Sequence, residues 1–209
     1  MVLAVAGYLF GSLSFAVIVS RVMGLDDPRS YGSQNPGATN VLRSGNKKAA
    51  LATLLLDALK GYVPVLLVKW YGPAWGLNDE AVAVVAMAAF VGHLWPVFFR
   101  FQGGKGVATA AGILFAVEPV LGAAVMGTWL LVAFVTRYSS LAALMASVLS
   151  PGYYLFGNEQ LWQTSAAELL TVMVMSLLLL WRHKENIGRL LRGQESKIGA
   201  KKEADQPSA

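Results

Sequence analysis

The chain contains no cysteine. Disulfides, thiolate metal sites, thiol nucleophiles and acyl-thioester enzyme intermediates are therefore excluded. Histidine is almost as scarce, with two residues in 209, so a multi-histidine metal site is not expected. Charge is the third shortage. Only 14% of the residues are charged and 56% are hydrophobic, against about 25% and roughly 45–50% in an average soluble domain. So few charges cannot cover a water-facing surface of this size, and the remaining apolar area is expected to face lipid. Residues 1–20 lack a basic stretch ahead of their apolar run and a small-x-small cleavage site after it. They are expected to form a retained spanning helix. The net charge of +5 fits cytoplasmic loops beside an anionic lipid surface, and no nucleic-acid partner is expected.

What is present is a series of apolar runs near the length of about 20 residues that a crossing helix needs. They are Val2–Ser20, Ala49–Trp70, Ala81–Phe99, Val107–Val117, Val120–Val135, Leu141–Phe156 and Leu161–Trp181. Val107–Val117 is the difficult one. At 1.5 Å per residue it rises only about 16 Å, half of the hydrocarbon core. Charge asymmetry argues that it crosses. Cytoplasmic loops carry the excess Lys and Arg, so the basic blocks Arg21–Lys48 and Arg182–Lys202 belong on one side, with an even number of crossings between them. Seven spans with the N-terminus outside put every basic residue inside except Lys69, which falls outside, and Lys60, which lies within a span. The short fourth helix is expected to thin the bilayer locally or tilt its neighbours.

The expected fold is thus all-α: a polytopic integral membrane protein with seven transmembrane helices. A short amphipathic surface helix is expected near the C-terminus, where Ile187, Leu190 and Leu191 share one face of Glu185–Arg192 and Gly193 is a natural stop. Residues 1–196 read as one transmembrane domain and 197–209 as a polar, disordered cytoplasmic tail.

Four polar segments interrupt this apolar background. The first loop runs Gly32-Ser33-Gln34-Asn35-Pro36-Gly37-Ala38-Thr39-Asn40-Val41-Leu42-Arg43. Its small residues let backbone N–H groups converge on an anion, and Arg43 offers a two-donor fork to phosphate. A turn-rich linker would have a similar composition. The second is Asp57…Lys60-Gly61, an i, i+3 pair inside a span that can neutralise itself. A purely structural pair would look the same. The third combines Gly92-His93…Pro96 with Gly103-Gly104-Lys105-Gly106 directly ahead of a helix. Free N–H groups there and the Lys105 ammonium make a phosphate cradle. It is not a Walker A loop, since G-x-x-x-x-G-K-[ST] is unmatched and no strand precedes it. His93 alone reads more readily as a structural histidine. The fourth is Arg182-His183-Lys184-Glu185-Asn186…Arg189, in which His183 and Asn186 lie one turn apart. A basic stop-transfer flank accounts for Arg182 and Lys184, but less well for His183 and Asn186.

Together with Gly11-Ser12-Leu13, these motifs in this order resemble the bacterial acyl-phosphate:glycerol-3-phosphate acyltransferases, the PlsY family, over nearly the whole chain. The resemblance implies acyl transfer from acyl phosphate to the sn-1 hydroxyl of glycerol 3-phosphate, giving lysophosphatidic acid and inorganic phosphate with no cofactor or metal. It implies catalytic roles for His183, Asn186, Lys105 and Arg43. Substrate and phosphate contacts are expected from Ser33, Asn35, Gly37, Ala38, Thr39, Asn40, Arg43, Lys60, Gly103, Gly104, Lys105, Gly106 and His183. Ser12, Asp57, His93 and Glu195 are expected to support them. The expected location is the bacterial inner membrane, with the site on the cytoplasmic side and a peripheral acyl-phosphate-producing enzyme as a further partner.

The His-x-x-x-x-Asp motif of the other large glycerolipid acyltransferase group is absent. Phe98 lies five residues after His93 and Gly188 five after His183. An already activated donor fits this lack. Acyl phosphate is a mixed anhydride with a stable leaving group, so positioning and charge compensation carry most of the demand. The base is either His183 or an oxygen of the donor phosphate. Two other readings are weighed against the enzyme: a small transporter of a phosphorylated anion, for which broken helices would suit, and a non-catalytic scaffold. The clustering of polar motifs at one face argues against the first. Gly-Gly-Lys-Gly beside an apolar helix argues against the second.

Overall fold

A computed structural model describes residues 1–199. Among them there is no strand, only an isolated bridge between Asn158 and Trp162. The helices are α1 (Val2–Gly11), α2 (Phe15–Val22), α3 (Ala38–Leu42), α4 (Lys47–Tyr71), α5 (Asp79–Leu94), α6 (Val107–Val117), α7 (Pro119–Thr136), α8 (Ser139–Phe156), α9 (Ala166–Arg182) and α10 (Lys184–Leu191). Short 3₁₀ turns follow α4 and α5.

Four helical segments are long and apolar enough to cross a membrane alone: Lys47–Trp75, Asp79–Phe99, Pro119–Thr136 and Ser139–Phe156. The bent pairs α1–α2 and α9–α10 bring the number to six by length and composition. Many large apolar side chains on these helices are exposed, among them Leu51, Leu55, Leu67, Leu131, Phe134 and Leu177. Outward-facing leucine and phenylalanine on long apolar helices is the pattern of a lipid-facing surface. The protein is a multi-pass integral membrane protein.

The eleven-residue α6 is the innermost element, burying Thr109, Ala110, Gly112, Ile113, Leu114, Ala116 and Val117. It lies alongside α4. Thr109 meets Asp57 and Gly61 near its start, and the Lys69 ammonium meets the Val117 carbonyl and, at 3.0 Å, the Glu118 carboxylate at its end. Glycine makes this approach possible. A Cβ on Gly61 would run into the Thr109 carbonyl, and one on Gly112 into the Ala58 carbonyl. The α1–α5 contact uses the same device, with Gly11 against the Ala89 carbonyl and Gly92 against the Tyr8 carbonyl. Lipid gives helices no hydrophobic reason to associate, so close backbone approach through small residues supplies the packing instead. A short helix surrounded by other helices has no need to match the bilayer thickness by itself.

Three boundaries differ from the sequence reading. The first span is broken at Ser12-Leu13-Ser14, with 43° between its halves. The break frees the Leu13 carbonyl, which accepts from Lys60 Nζ at 2.6 Å. Helix α5 stops at Leu94, ahead of Pro96, rather than at Phe99. Helix α9 starts at Ala166 rather than Leu161, because a tight turn in which Trp162 Nε1 donates to the Tyr154 carbonyl precedes it. The surface helix forms as α10, and Gly193 ends it with φ +66°. Of the expected tail, Ile198 pairs with Arg137 at the α7–α8 turn; residues 200–209 lie outside the described residues.

Beneath the break, Lys60 also pairs with Asp57 at 2.8 Å, and both side chains are almost wholly buried. Two such charges are tolerable only because each has the other. Lys60→Met is expected to strand Asp57 and cost about 3–5 kcal/mol, while adding Asp57→Leu should recover most of that. Thermal unfolding of the purified protein in detergent checks this. A double variant that melts no higher than the single one would contradict it.

Candidate active site

The site is built around the loop that enters α6. Gly103 and Gly104 are buried because three elements converge on them. A Cβ on Gly103 would strike the His93 and Leu94 carbonyls at the end of α5, and one on Gly104 would strike the His93 ring and, at 3.0 Å, approach the Pro36 carbonyl of the first loop. The Gly104 N–H donates to the His93 carbonyl at 3.2 Å. From the end of α9, Arg182 donates to the Gly104 carbonyl at 2.8 and 3.1 Å and to the Gly103 carbonyl at 2.8 Å. Gly106 takes φ +90°, in contact with the Phe90 ring, and its carbonyl starts α6 by accepting from Ala110 N at 2.8 Å. The glycines thus serve close packing first. The Gly104 N–H, expected to face an anion, is taken up inside the protein.

Held in this way, Lys105 directs its ammonium at Asn186 Oδ1. Asn186 is buried, and its Nδ2 donates to Glu195 Oε1 at 2.7 Å. Glu195 also accepts from Ser140 Oγ at 2.8 Å and from Arg189 Nε at 2.7 Å. Because a carboxylate only accepts, the amide must turn its NH₂ to Glu195 and its oxygen to Lys105. Burial raises the Glu195 pKa, but hydrogen bonds from Arg189, Asn186 and Ser140 outweigh it and hold the group below its ordinary value. Burial also acts on Lys105, helped by Arg189 and opposed by Glu195 and Glu185, and brings it down to about 8.

His183 joins α9 to α10 and is buried beside this network. Its Nδ1 lies 2.8 Å from the Leu179 carbonyl. A carbonyl cannot donate, so Nδ1 carries the proton, and the neutral ring presents a lone pair at Nε2. Arg43 approaches from the first loop, where its guanidinium donates to Ser196 Oγ at 2.7 Å. Ser196 follows Glu195, so Arg43 and the Lys105 network meet on adjacent residues.

The remaining expected residues divide. Asn40 is buried and organises the first loop: its Nδ2 donates to the carbonyls of Pro28 at 2.6 Å and Tyr31 at 3.1 Å, and its Oδ1 accepts from Ser33 N at 3.0 Å. Gly37 caps the five-residue α3; Asn35, Gly37 and Ala38 are half-buried, and Ser33 and Thr39 are exposed. Lys60, Asp57, His93 and Ser12 form a separate buried layer behind the glycine loop. His93 Nδ1 is 3.1 Å from Thr109 Oγ1, which donates to the Asp57 carbonyl at 2.9 Å. Ser12 Oγ accepts from Val97 N at 3.4 Å. The Lys60 ammonium is engaged by Asp57 and the Leu13 carbonyl within this buried layer.

Residues 1–193 match the model of a family described as glycerol-3-phosphate acyltransferase. The chain belongs to this family. Curated relatives called glycerol-3-phosphate acyltransferase include those of Paraburkholderia phytofirmans, 61% identical over 98% of this chain and 94% of the relative, and Albidiferax ferrireducens, 58% identical over 97% and 90%. Crystal structures of PlsY, an integral membrane glycerol 3-phosphate acyltransferase, in a glycerol 3-phosphate form and a lysophosphatidic acid form superpose with TM-scores of 0.85 and 0.84. Each is 36% identical and covers 94% of both chains. Family membership sets aside the transporter and scaffold readings.

Sequence reasoning passed over several residues of this candidate site. Arg182 looked like a membrane flank yet clamps the glycine loop, and Ser140 and Ser196 carried no signal, one at an apolar helix start and the other just ahead of the polar tail. Arg189, read only within the motif, orients Glu195.

The Lys105 value sets a pH dependence. The ammonium is present below about pH 8 and lost as pH rises through it, well before an exposed lysine would deprotonate. A phosphate monoester is already fully ionised there. Affinity of the resting acyltransferase for a phosphate monoester is therefore expected to fall above about pH 8, approaching tenfold per pH unit. Lys105→Arg should remove that limb, because guanidinium keeps its proton. Binding titrations from neutral pH upward check this, and an unchanged limb in the arginine variant would contradict it.

Proposed function

We propose that the protein transfers an acyl group from acyl phosphate to the sn-1 hydroxyl of glycerol 3-phosphate. The observation that carries this reading is the alignment of Lys105, Asn186 and Glu195 beside the His183 imidazole and Arg43. The alcohol oxygen bonds to the acyl carbon, the bond from that carbon to the bridging oxygen breaks, and inorganic phosphate leaves with both electrons. Two phosphates must lie close together for this. Lys105 and Arg43 offset their charge, and Arg43 exchanges Ser196 for a phosphate oxygen. Asn186 fixes the direction of the Lys105 ammonium.

The hydroxyl proton passes to an oxygen of the donor phosphate. His183 Nε2 accepts a hydrogen bond from the hydroxyl and orients it. The reason is the partner of Nδ1. A base that becomes imidazolium is stabilised by a carboxylate on its other nitrogen, as in serine hydrolase triads; here that nitrogen faces a backbone carbonyl, in a buried position beside Lys105.

The same reading carries topology and location. Seven crossings, with α6 counted as the fourth, an external N-terminus and a cytoplasmic C-terminus put Arg43, Lys105, His183 and Glu195 on the inner side of the bacterial inner membrane. A donor made by a peripheral enzyme can reach the site there, its acyl chain entering between helices from the lipid.

Acyl phosphate is expected to support turnover without added metal and with EDTA present, while acyl coenzyme A should not. Lys105→Ala should cost about 10²–10³-fold in kcat, the range for losing one preorganised charge-stabilising donor. His183→Asn should retain more activity than His183→Ala. Lysophosphatidic acid formation by the purified protein measures all three. Activity confined to acyl coenzyme A would refute the donor. Equal, complete loss in both histidine variants, folded and binding acceptor, would make His183 the base.

A further inference from the structure

A second basic cleft lies beside the active site and takes no part in the chemistry above. It encloses about 570 Å³ between α2, the Asp27–Ser30 turn and the turn after α5, with Val17, Phe98 and Phe99 as apolar walls and Arg21, Arg29 and Arg100 as cations. Arg29 is already paired with Asp27 at 2.6 Å. Among the described residues, Arg21 and Arg100 have no carboxylate within ion-pair distance. Arg100 and Phe101 both take left-handed conformations, with φ +56° and +59°, and the turn is tied by Phe99 N and Phe101 N donating to the Pro96 carbonyl at 3.1 and 2.9 Å. Two consecutive non-glycine residues in that region are uncommon, and here the backbone bonds hold them. The backbone position of Arg100 is therefore set by this turn.

The cleft's surroundings identify the kind of anion. Phe98 in its wall is 58% exposed, Phe101 and Val22, next in sequence to Arg100 and Arg21, are 58% and 81% exposed, and α2 belongs to a bent pair apolar enough to cross a membrane. A soluble anion gains nothing from such a rim, whereas a lipid places its phosphate on the guanidinia and its chains on the aromatic and aliphatic side chains. The two unpaired arginines supply the charge, on the folded elements that line the cleft rather than on a tail.

We propose that this cleft binds the phosphate headgroup of an anionic membrane phospholipid. The site is separate from the one that holds the reacting phosphates. It adjoins a smaller cleft of about 520 Å³ that shares Arg29 and Gln102 with it and leads to Gly103 and Arg182. A bound lipid thus braces the turn from which the glycine loop departs. The proposal is independent of the donor and of the base.

Purified protein in detergent, titrated with short-chain phosphatidylglycerol, phosphatidylcholine and inorganic phosphate, tests it. Phosphatidylglycerol is expected to bind about tenfold or more tightly than phosphatidylcholine, as expected for a lipid held by two arginines. Arg21→Gln with Arg100→Asn should erase that preference while leaving phosphatidylcholine binding and the melting temperature unchanged; asparagine tolerates the left-handed backbone at position 100. If the double variant does not fold, Arg21→Gln alone should lower the preference about threefold or more. Arg21→Lys should retain most of it. A double variant that keeps the full preference overturns the proposal. So does displacement of phosphatidylglycerol by inorganic phosphate at comparable concentration, which would make the cleft a free-phosphate site, or by glycerol 3-phosphate, which would make it part of the active site.

Discussion

The absence of a side chain at Gly103 and Gly104 is the constraint on which the site depends. Backbone from α5, a guanidinium from α9 and the Pro36 carbonyl of the first loop all approach the same two residues. Any Cβ would force these elements apart, and Lys105, the next residue, would move with them. The Arg182 contacts span 78 and 79 residues of the chain, since they bind the end of α9 to the loop before α6. Charge-assisted hydrogen bonds to backbone carbonyls are stronger than neutral ones, and a clamp of this kind suits a residue that must hold an ammonium within tenths of an ångström of its target.

Behind that loop sits a second polar layer with a different task. Asp57, Lys60, His93 and Thr109 satisfy one another, and Lys60 also satisfies the Leu13 carbonyl at the break between α1 and α2. Irregular backbone at membrane depth survives only where protein supplies the missing hydrogen bonds. The two layers are linked through His93, whose carbonyl receives the Gly104 N–H. Polar side chains of similar chemistry thus separate into an inner set that positions the helices and an outer set in which Lys105, Asn186 and Glu195 meet Arg43.

Much of this was legible from residue patterns, and the misses have physical causes. Apolar runs located every long helix, and the amphipathic spacing of Ile187, Leu190 and Leu191 located α10. Hydropathy has no term for a break whose carbonyl is repaired by a lysine 47 residues away, so α1 and α2 read as one helix. The short α6 looked like a mismatch with the bilayer because its burial by α4, α5 and α7 is a tertiary property. Gly-Gly-Lys-Gly was read as an anion cradle, and its cation does face the site, but glycine is also what close packing demands and spacing alone does not separate the two. Asn40 shows the same ambiguity: an amide in a polar loop looks alike in sequence whether it meets substrate or its own loop, and here it meets three groups of the loop and Arg43.

The chemistry that best fits this arrangement is a direct transfer in which no side chain carries the acyl group. In the proposed reaction the protein contributes alignment and fixed positive charge, and the activated donor contributes the leaving group. Phosphate release before the acceptor is added tests this most directly. Purified protein mixed with acyl phosphate alone is expected to release no more phosphate than buffer and to gain no mass, and adding glycerol 3-phosphate should then release phosphate in step with lysophosphatidic acid. A burst of phosphate stoichiometric with protein, together with an acyl group bound covalently to the chain, would contradict direct transfer.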